Sequence, residues 1–431
     1  MCADYTNPET IVLHTGHRGD NEFGSVAVPI YQTTSYQFRD TEHAENLFAL
    51  KELGNIYTRI MNPTQNILEQ RLAAMEGGAM ALAVASGQAA SMYSVMNLCR
   101  AGDNFVSSTN IYGGTWNLFA NTLKDFGVEC RFVDPSDPEA FGNATDDKTR
   151  CYYAETLPNP KLEVFPIKEV ADIGRKLGVP LIMDNTAAPL ICRPFDHGAA
   201  IVMYSTTKYI GGHGTSIGGV LIDGGNFDWE AGGDKFPGLN QPDPSYHGAI
   251  WTEAAKGLGA PIAYILRARV VLLRDVGAAT TPSNAFNAIQ GLETLPLRMR
   301  EHCSNAEKVV KYLSKHEKVQ KVIHPTAQEG EPRRRADSHL KGGYGALVGF
   351  ELKGGKDAGR KFIDSLQMLF HVANIGDARS LAIHPASTTH SQLSSEEQIQ
   401  SGVTEGYVRL SIGIEHIDDI LADLDQALAA A

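Results

Sequence analysis

A lysine follows three hydroxyl residues in the run Ser205-Thr206-Thr207-Lys208, directly after an apolar stretch over 199–204. Hydroxyl groups can hold a phosphate while a neighbouring amine forms a Schiff base with a carbonyl carbon. A lone lysine is usually a surface charge. This one lies between the apolar stretch and Gly211-Gly212-His213-Gly214, so we expect burial to lower its pKa and leave the amine free to react.

Two further polar positions follow apolar stretches. Asp184 comes directly after Val179 to Met183, where it could cap a turn or pair with a protonated ring nitrogen. Ser86-Gly87-Gln88 opens a predicted helix, whose first N–H groups could bind a phosphate, although many helices begin this way. Together with Lys208, these are the parts that pyridoxal phosphate (PLP) requires. A dinucleotide site is less favoured, because no Gly-x-Gly-x-x-Gly followed by an acid is present.

The elements that must position these residues alternate between strand and helix. Helices are predicted over 66–75, from 88 onwards, over 115–126 and after Pro166, the last ending at Gly178. Apolar runs between them predict strands over 79–85, 104–108, 128–133, 151–155, 179–183, 199–204 and 218–222. This alternation predicts an α/β fold with a mostly parallel sheet covered by helices on both faces. In such sheets ligands bind beyond the carboxyl ends of the strands, where Asp184 and Lys208 are expected.

Three segments are expected along the chain. Residues 1–65 are polar and weakly periodic and form an arm, 66–270 form the PLP-binding domain, and 271–431 form a smaller α/β domain. Further helices are predicted over 261–275 and 301–315 and from 417, and further strands over 346–352 and 407–412. Residues 224–248, rich in Gly, Pro and Asp, are expected to lack regular structure and to be either functional or disordered.

Composition limits the function classes. The formal net charge of −12 argues against a nucleic-acid partner. No apolar run approaches the roughly 20 residues of a membrane span, and the N-terminus lacks the features of a secretion signal. Six cysteines without a Cys-x-x-Cys pair are expected to be reduced thiols of a cytoplasmic protein. His384 and His390 are expected to be ordinary polar residues, so no metal site is predicted.

Seven short motifs identify a family by their order and spacing: Tyr57-Thr58-Arg59, Ala85-Ser86-Gly87-Gln88, Ile111-Tyr112-Gly113-Gly114, Glu155-Thr156-Leu157-Pro158-Asn159-Pro160, Asp184-Asn185-Thr186, Ser205-Thr206-Thr207-Lys208 and Tyr407-Val408-Arg409-Leu410-Ser411. Over nearly its whole length the chain resembles the cystathionine- and methionine-metabolism family of PLP enzymes, of fold type I. The resemblance implies a PLP-dependent transferase fold, with a mostly parallel central sheet between helices and a smaller C-terminal α/β domain. It also implies a homotetramer built as a dimer of dimers.

The resemblance implies a catalytic role for three residues. Lys208 would be the Schiff-base lysine and the proton carrier. Asp184 would keep the ring nitrogen protonated, and Tyr112 would stack on the ring. Arg409, helped by Ser380, would bind the substrate carboxylate.

The remaining roles implied by the resemblance concern cofactor binding. Asn159 would hydrogen-bond the phenolic oxygen of the ring. The residues expected to bind the phosphate or lie beside it are Ser86, Gly87, Gln88, Thr186, Ser205 and Thr207. Tyr57 and Arg59 would reach the same phosphate from the neighbouring subunit, and Tyr57 would also contact substrate.

Within the family, residues 224–248, 376–381 and 384–393 resemble the O-acetylhomoserine sulfhydrylase branch. Gly114 stands where methionine γ-lyases typically carry a cysteine. This branch would use O-acetylhomoserine with sulfide or a thiol, and release homocysteine and acetate. A cystathionine γ-synthase, a methionine γ-lyase and a cofactor-free protein with a relict fold are the alternatives.

Overall fold

Two β-sheets organise the chain in a computed structural model that describes residues 5–19, 23–52, 54–389, 391 and 402–431. The larger sheet has seven strands in the order β1-β7-β6-β5-β4-β2-β3. Its strands are β1 Met80–Val84, β2 Asn104–Ser108, β3 Glu129–Val133, β4 Thr149–Glu155, β5 Leu181–Asp184, β6 Ile201–Ser205 and β7 Gly219–Asp223. The strands β2 to β6 pair in parallel, whereas β7 runs antiparallel to both β1 and β6. The predicted mostly parallel sheet is therefore confirmed.

Both faces of this sheet are buried, which explains why its strands are apolar runs without polar alternation. Successive residues of β4 illustrate the arrangement: Tyr152 belongs to the hydrophobic core on one face and Tyr153 to the core on the other. Both side chains are fully buried. The sheet is thus a rigid platform whose strand ends can hold polar side chains in fixed positions.

The smaller sheet has five strands in the order β10-β11-β12-β9-β8. Its strands are β8 Val319–Ile323, β9 Leu347–Leu352, β10 Phe370–His371, β11 Leu381–Ile383 and β12 Tyr407–Ser411. The predicted strands over 346–352 and 407–412 correspond to β9 and β12, which pair antiparallel. Its apolar side chains join the core that also covers one face of the larger sheet.

Helices surround both sheets. Those of at least seven residues are Pro8–His14, Thr41–Phe48, Pro63–Glu76, Gly87–Met96, Ile167–Leu177, Trp251–Gly257, Pro282–Glu293, Leu295–Leu313, Gly330–His339, Gly355–Ser365 and Ile417–Ala430. The short helices and helical turns are Gly113–Asn117, Leu118–Thr122, Leu123–Asp125, Glu139–Asn143, Pro194–His197, Gly233–Lys235, Pro237–Asn240, Pro244–Tyr246, Ala263–Arg267, Ala268–Leu273, Arg274–Val276, Pro325–Ala327 and Pro385–Ser387. In the described part of the chain, no helix combines the length and the apolar character that crossing a bilayer requires.

Several predicted helix boundaries shift by a few residues. The helix predicted over 301–315 begins at Leu295, because Pro296 fits the first turn, where its missing N–H needs no partner. Gly178 ends the helix Ile167–Leu177 in the left-handed conformation, at φ 64°, as expected of a glycine stop. The helix predicted over 115–126 is interrupted by a π-helical turn over Leu118–Thr122.

The segment 224–248 contains short helical turns rather than a stretch without regular structure. Asp243 accepts a hydrogen bond from the indole N–H of Trp251 at 3.0 Å, and the hydroxyl of Tyr246 donates to the carbonyl of Phe48. The segment therefore contacts both the helix Trp251–Gly257 and the helix Thr41–Phe48. The division of the chain into an arm and two domains stays a prediction. The predicted domain boundary after residue 270 falls between Ala263–Arg267 and Arg274–Val276, inside a continuous helical run.

Candidate active site

One cavity of about 270 Å³ lies at the carboxyl ends of the parallel strands, and residues 373–375 and Arg409 complete its wall. Its wall includes all but three of the site residues predicted from the sequence: Ser86, Gly87, Gln88, Tyr112, Asn159, Asp184, Thr186, Ser205, Thr207, Lys208 and Arg409. Residues far apart in sequence thus meet at the position that the strand order predicts for a ligand.

Lys208 follows β6 and reaches into the cavity. Its Nζ donates a hydrogen bond to Asn374 Oδ1 at 2.5 Å. Burial lowers the pKa of the amine, and the nearby charge of Arg409 lowers it further. The buried guanidinium of Arg298 donates to the carbonyls of Tyr209 and Ile210, which fixes the chain directly after the lysine. The lowered pKa that the sequence predicted for this lysine agrees with its environment, and its role as the reactive amine stays a prediction.

The helix Gly87–Met96 points its N-terminus at the cavity. Ser86 caps the helix by accepting a hydrogen bond from the N–H of Ala89. The first N–H groups of a helix have no partner within it, so those beside Gly87 and Gln88 can bind an anion. A Cβ atom at Gly87 would lie 2.6 Å from Ser205 Cβ, so only glycine allows the helix to approach β6 this closely.

Hydroxyl residues connect the neighbouring loops at this end of the cavity. Thr186 Oγ1 accepts a hydrogen bond from the N–H of Ser205 at 2.8 Å. Thr207 Oγ1 is bonded to both the N–H and the carbonyl of Gly218. The loops after β5 and β6 are therefore held together around the helix N-terminus.

Two carboxyl groups lie at the ends of adjacent strands. Glu155 on β4 and Asp184 on β5 are paired in the sheet register. Asp184 accepts a hydrogen bond from the N–H of Thr186 at 2.9 Å, and burial raises its pKa to about 6. Glu155 accepts a hydrogen bond from the N–H of Tyr112 at 2.5 Å. Burial, and then the charge of Asp184, raise the pKa of Glu155 well above its usual range.

Arg409 brings the smaller sheet to the same cavity. It lies on β12 and is buried, and its Nη2 donates to the main-chain carbonyl of Asn374 at 3.0 Å. Its Nε has no hydrogen-bond partner among the described residues. Burial lowers the pKa of the guanidinium, which stays cationic in any case, so a carboxylate entering the cavity would find an unsatisfied donor there.

Asn374 is the main site residue that the sequence reading missed. Its side chain contacts Lys208 and its main chain contacts Arg409, so it connects the amine of Lys208 to the guanidinium of Arg409. Ala373 and Ile375 on either side also line the cavity. The sequence feature that could have identified Asn374 is its position two residues before Gly376, the first residue of the motif over 376–381.

Three predicted site residues lie outside the cavity wall. Ser380 is fully buried; its hydroxyl donates to Glu415 Oε2 at 2.8 Å and accepts from the N–H of Gly413. Tyr57 and Arg59 are exposed on the arm, where the guanidinium lies 5.2 Å from the ring centre of Tyr57. The proposed roles of these three residues stay predictions.

His384 is bonded on both ring nitrogens, to Ser387 Oγ and to the carbonyl of Glu405. His390, the other histidine considered as a metal ligand, lies outside the described residues. No group of three or more potential metal ligands occurs within the described ranges.

The cavity residues suit PLP. An amine of lowered pKa faces a cavity that also holds a buried carboxyl group and a helix N-terminus with hydroxyls beside it. Asn159 adds a buried Oδ1 atom with no hydrogen-bond partner among the described residues. These are groups that can bind an aldehyde carbon, a ring nitrogen and a phosphate in one place.

Comparison with known proteins gives the same family. The model of the Cys/Met metabolism PLP-dependent enzymes matches residues 9–429. An O-acetyl-L-homoserine sulfhydrylase of Leptospira meyeri is 53% identical, over 98% of this chain and 96% of that protein. O-acetyl-L-homoserine sulfhydrylase 1 of Thermus thermophilus is 48% identical, over 98% and 99%. A homocysteine synthase of Schizosaccharomyces pombe is 47% identical over the full length of both chains.

A solved structure from Campylobacter jejuni has the same fold. It superposes with a TM-score of 0.94 at 41% sequence identity, and the match covers 98% of this chain and 100% of that one. That protein is described as an O-acetylhomoserine (thiol)-lyase and contains N'-pyridoxyl-lysine-5'-monophosphate. The predicted fold type I architecture is therefore confirmed, and so is the PLP cofactor.

Proposed function

We propose that this chain, which belongs to the Cys/Met metabolism PLP-dependent enzyme family, converts O-acetylhomoserine and sulfide to homocysteine and acetate. One observation carries the proposal: the amine of Lys208 and the guanidinium of Arg409 both contact Asn374 in one cavity. An amino-acid substrate needs a base for its Cα proton and a cation for its carboxylate in the same cavity. Full-length relatives named as sulfhydrylases support sulfide as the second substrate.

When bound, PLP supplies an aldehyde carbon for an amine and a ring that accepts negative charge from the adjacent carbon. Lys208 would hold the cofactor through that carbon while substrate is absent. As a free amine it would take the Cα proton of O-acetylhomoserine and then move a proton at Cβ, which allows acetate to leave from Cγ. Sulfide would then add at Cγ, and Lys208 would return protons to Cβ and Cα to give homocysteine. Burial lowers the pKa of the Lys208 amine, which favours the unprotonated form that can take up a proton.

The other cavity residues bind and orient. Arg409 binds the α-carboxylate with two parallel N–H groups, which its planar guanidinium can supply. Asp184, which accepts the N–H of Thr186, would hydrogen-bond the ring nitrogen, and Tyr112 would pack on the ring. Asn159 would donate its amide N–H to the phenolic oxygen. The helix N-terminus would hold the phosphate, with these residues beside it: Ser86, Gly87, Gln88, Thr186, Ser205 and Thr207.

The active unit is proposed to be a dimer or a larger assembly, with two dimers forming a homotetramer. Tyr57 and Arg59 would complete the site of the neighbouring subunit. This is supported by their exposure and by their position outside the cavity wall of their own chain. Exposed apolar side chains on the same arm, Val26 and Ile30, are a further reason to expect contact with a second copy. Ser380 is proposed to assist Arg409 indirectly, because Ser380 directly precedes β11, which pairs with the strand β12 that carries Arg409.

A cytoplasmic location is proposed as well, from the cysteine usage.

Product analysis of the purified protein tests the proposal. With sulfide, O-acetylhomoserine should give homocysteine faster than O-acetylserine gives cysteine. With cysteine in place of sulfide, little cystathionine should form, and methionine alone should give little α-ketobutyrate. The Lys208→Ala variant, folded but inactive, is the control for each assay.

The outcome separates the alternatives. Dominant cystathionine formation would indicate a cystathionine γ-synthase, and dominant breakdown of methionine would indicate a methionine γ-lyase. A colourless protein without turnover on any of these substrates would support a cofactor-free protein with a relict fold.

A further inference from the structure

Glu155 is a second buried carboxyl group in the cavity, and the proposed function gives it no role. It ends β4, directly opposite Asp184 in the register between β4 and β5. Both residues line the cavity, and Glu155 is only 9% exposed. Burying a carboxyl group is costly unless it stays neutral or is paired, so its presence here needs a physical reason.

The side chain of Glu155 ties two elements of the cavity wall together. Its Oε1 accepts the main-chain N–H of Tyr112 at 2.5 Å. Tyr112 precedes the helix Gly113–Asn117, and its side chain does not cap that helix. The phenol ring of Tyr112 is 58% exposed but lines the cavity. The carbonyl of Tyr112 accepts the N–H of Trp116 within this helix, so Glu155 is the partner from the sheet that holds the main chain from which this ring projects.

The surroundings decide which of the two acids carries the charge. Asp184 accepts the N–H of Thr186 and is further stabilised by the Thr186 hydroxyl. Glu155 accepts one N–H and faces the negative charge of Asp184. Two adjacent buried carboxyl groups cannot both ionise easily, and the proton stays on the one with less hydrogen-bond support.

The other charged or titratable groups at the cavity do not reverse this order. They are Tyr112, Lys208 and Arg409. Burial and Asp184 raise the pKa of Glu155, and the N–H of Tyr112 is the group that lowers it. Tyr153, on the same strand, has its own pKa raised by burial and by both acids.

We propose that Glu155 is a positioning residue: as a neutral carboxylic acid it holds the main chain of Tyr112 at the cavity wall and leaves Asp184 as the single negative charge beside the PLP ring. This inference rests on the proposed function, because it takes Tyr112 and Asp184 as the residues that contact the ring. It implies that PLP binding depends on the side-chain oxygen of Glu155 that accepts the Tyr112 N–H, and not on the negative charge of Glu155.

The test compares the PLP dissociation constants of four cofactor-free proteins: wild type, Glu155→Gln, Glu155→Ala and Glu129→Gln. Glu129 is an exposed residue of β3 in the same sheet and serves as the matched control. Glu155→Gln should bind PLP within about two-fold of wild type, because the amide oxygen still accepts the N–H of Tyr112. Glu155→Ala should bind about ten-fold more weakly, because that N–H loses its partner. The control should match wild type.

Two further measurements separate positioning from general stability. In a Tyr112→Ala background, Glu155→Ala should weaken PLP binding by less than about two-fold, because both changes remove the same placed ring. Calorimetry in buffers of different ionisation enthalpy should show wild type and Glu155→Gln exchanging the same number of protons on binding PLP between pH 7 and 8.5.

The inference is overturned if Glu155→Gln binds as weakly as Glu155→Ala, since the charge would then be needed. It is overturned as well if Glu155→Ala binds like wild type, if the two changes at Glu155 and Tyr112 are additive, or if the proton counts differ. Should Glu155→Ala fail to fold, the Glu155→Gln affinity and the proton count still decide. Failure of the wild-type protein to bind PLP would instead refute the proposed function.

Discussion

Removing the side chain of Asn374 should impair the catalytic lysine without weakening the substrate carboxylate site. Its Oδ1 accepts from Lys208 Nζ at 2.5 Å, whereas Arg409 is bonded to its main-chain carbonyl. Asn374→Ala deletes the first contact and keeps the second. The two functions of one residue can therefore be separated by a single substitution.

The size of the effect follows from the kind of bond that is lost. The Lys208 amine becomes positively charged as it takes the Cα proton, and hydrogen bonds to charged groups contribute about 1.5–3 kcal/mol. Lys208 is also largely buried, so water replaces the lost partner poorly. Each 1.36 kcal/mol corresponds to a ten-fold change in rate. If the bond orients the free amine in the transition state, kcat should fall by about 10- to 150-fold.

Steady-state kinetics with O-acetylhomoserine and sulfide measure this effect. The KM for O-acetylhomoserine should change by less than about two-fold, because the Arg409 contact is retained. Asn121→Ala is the control, since Asn121 is an exposed asparagine bonded to Asn117 on a surface helix. A kcat within two-fold of wild type would refute the assignment. A KM that rises as much as kcat falls would mean that Asn374 binds substrate rather than the lysine.

Three further predictions concern the cofactor acid, the carboxylate site and the assembly. Asp184→Asn should lower kcat by at least about a hundred-fold while PLP stays bound. Wild type should bind PLP more tightly than Asp184→Asn at neutral pH, and this difference in affinity should shrink towards pH 5, because the Asp184 carboxyl protonates below about pH 6; a difference that stays constant with pH would contradict this. Arg409→Lys should raise the KM of every amino-acid substrate by about ten-fold or more, measured beside an unchanged KM for sulfide, since an ammonium cannot make the two-point contact. Mixing inactive Arg59→Ala and Lys208→Ala chains should restore some activity through hybrid sites, and a fully active monomer would exclude shared sites.

The sequence predicted those parts of the site that depend on one strand and the loop after it. Asp184 ends β5 and Lys208 follows β6 where the apolar runs stop. Ser86 caps a helix directly after β1, as its residue type suggests. Apolar runs and capping residues are local signals, and the parallel order of the strands then brings their carboxyl ends to one edge.

Contacts between distant segments were decided by tertiary structure. Asn374 lies 166 residues from Lys208 in sequence, and no local pattern connects them. Glu155 belongs to a recognised motif, but its pairing with Asp184 depends on the register between two strands. Ser380 occurs in an equally suggestive motif, yet it is buried against Glu415 outside the cavity wall.

The physical reason is the range over which each interaction is specified. Hydrophobic periodicity and helix capping act within a few residues, so β5, β6 and the helix Gly87–Met96 could be read from the chain. The position of the smaller sheet depends instead on the packing of a shared core, to which many distant side chains contribute at once. That packing brings Arg409 and Asn374 to Lys208, so only the folded chain determines the relative positions of these three residues.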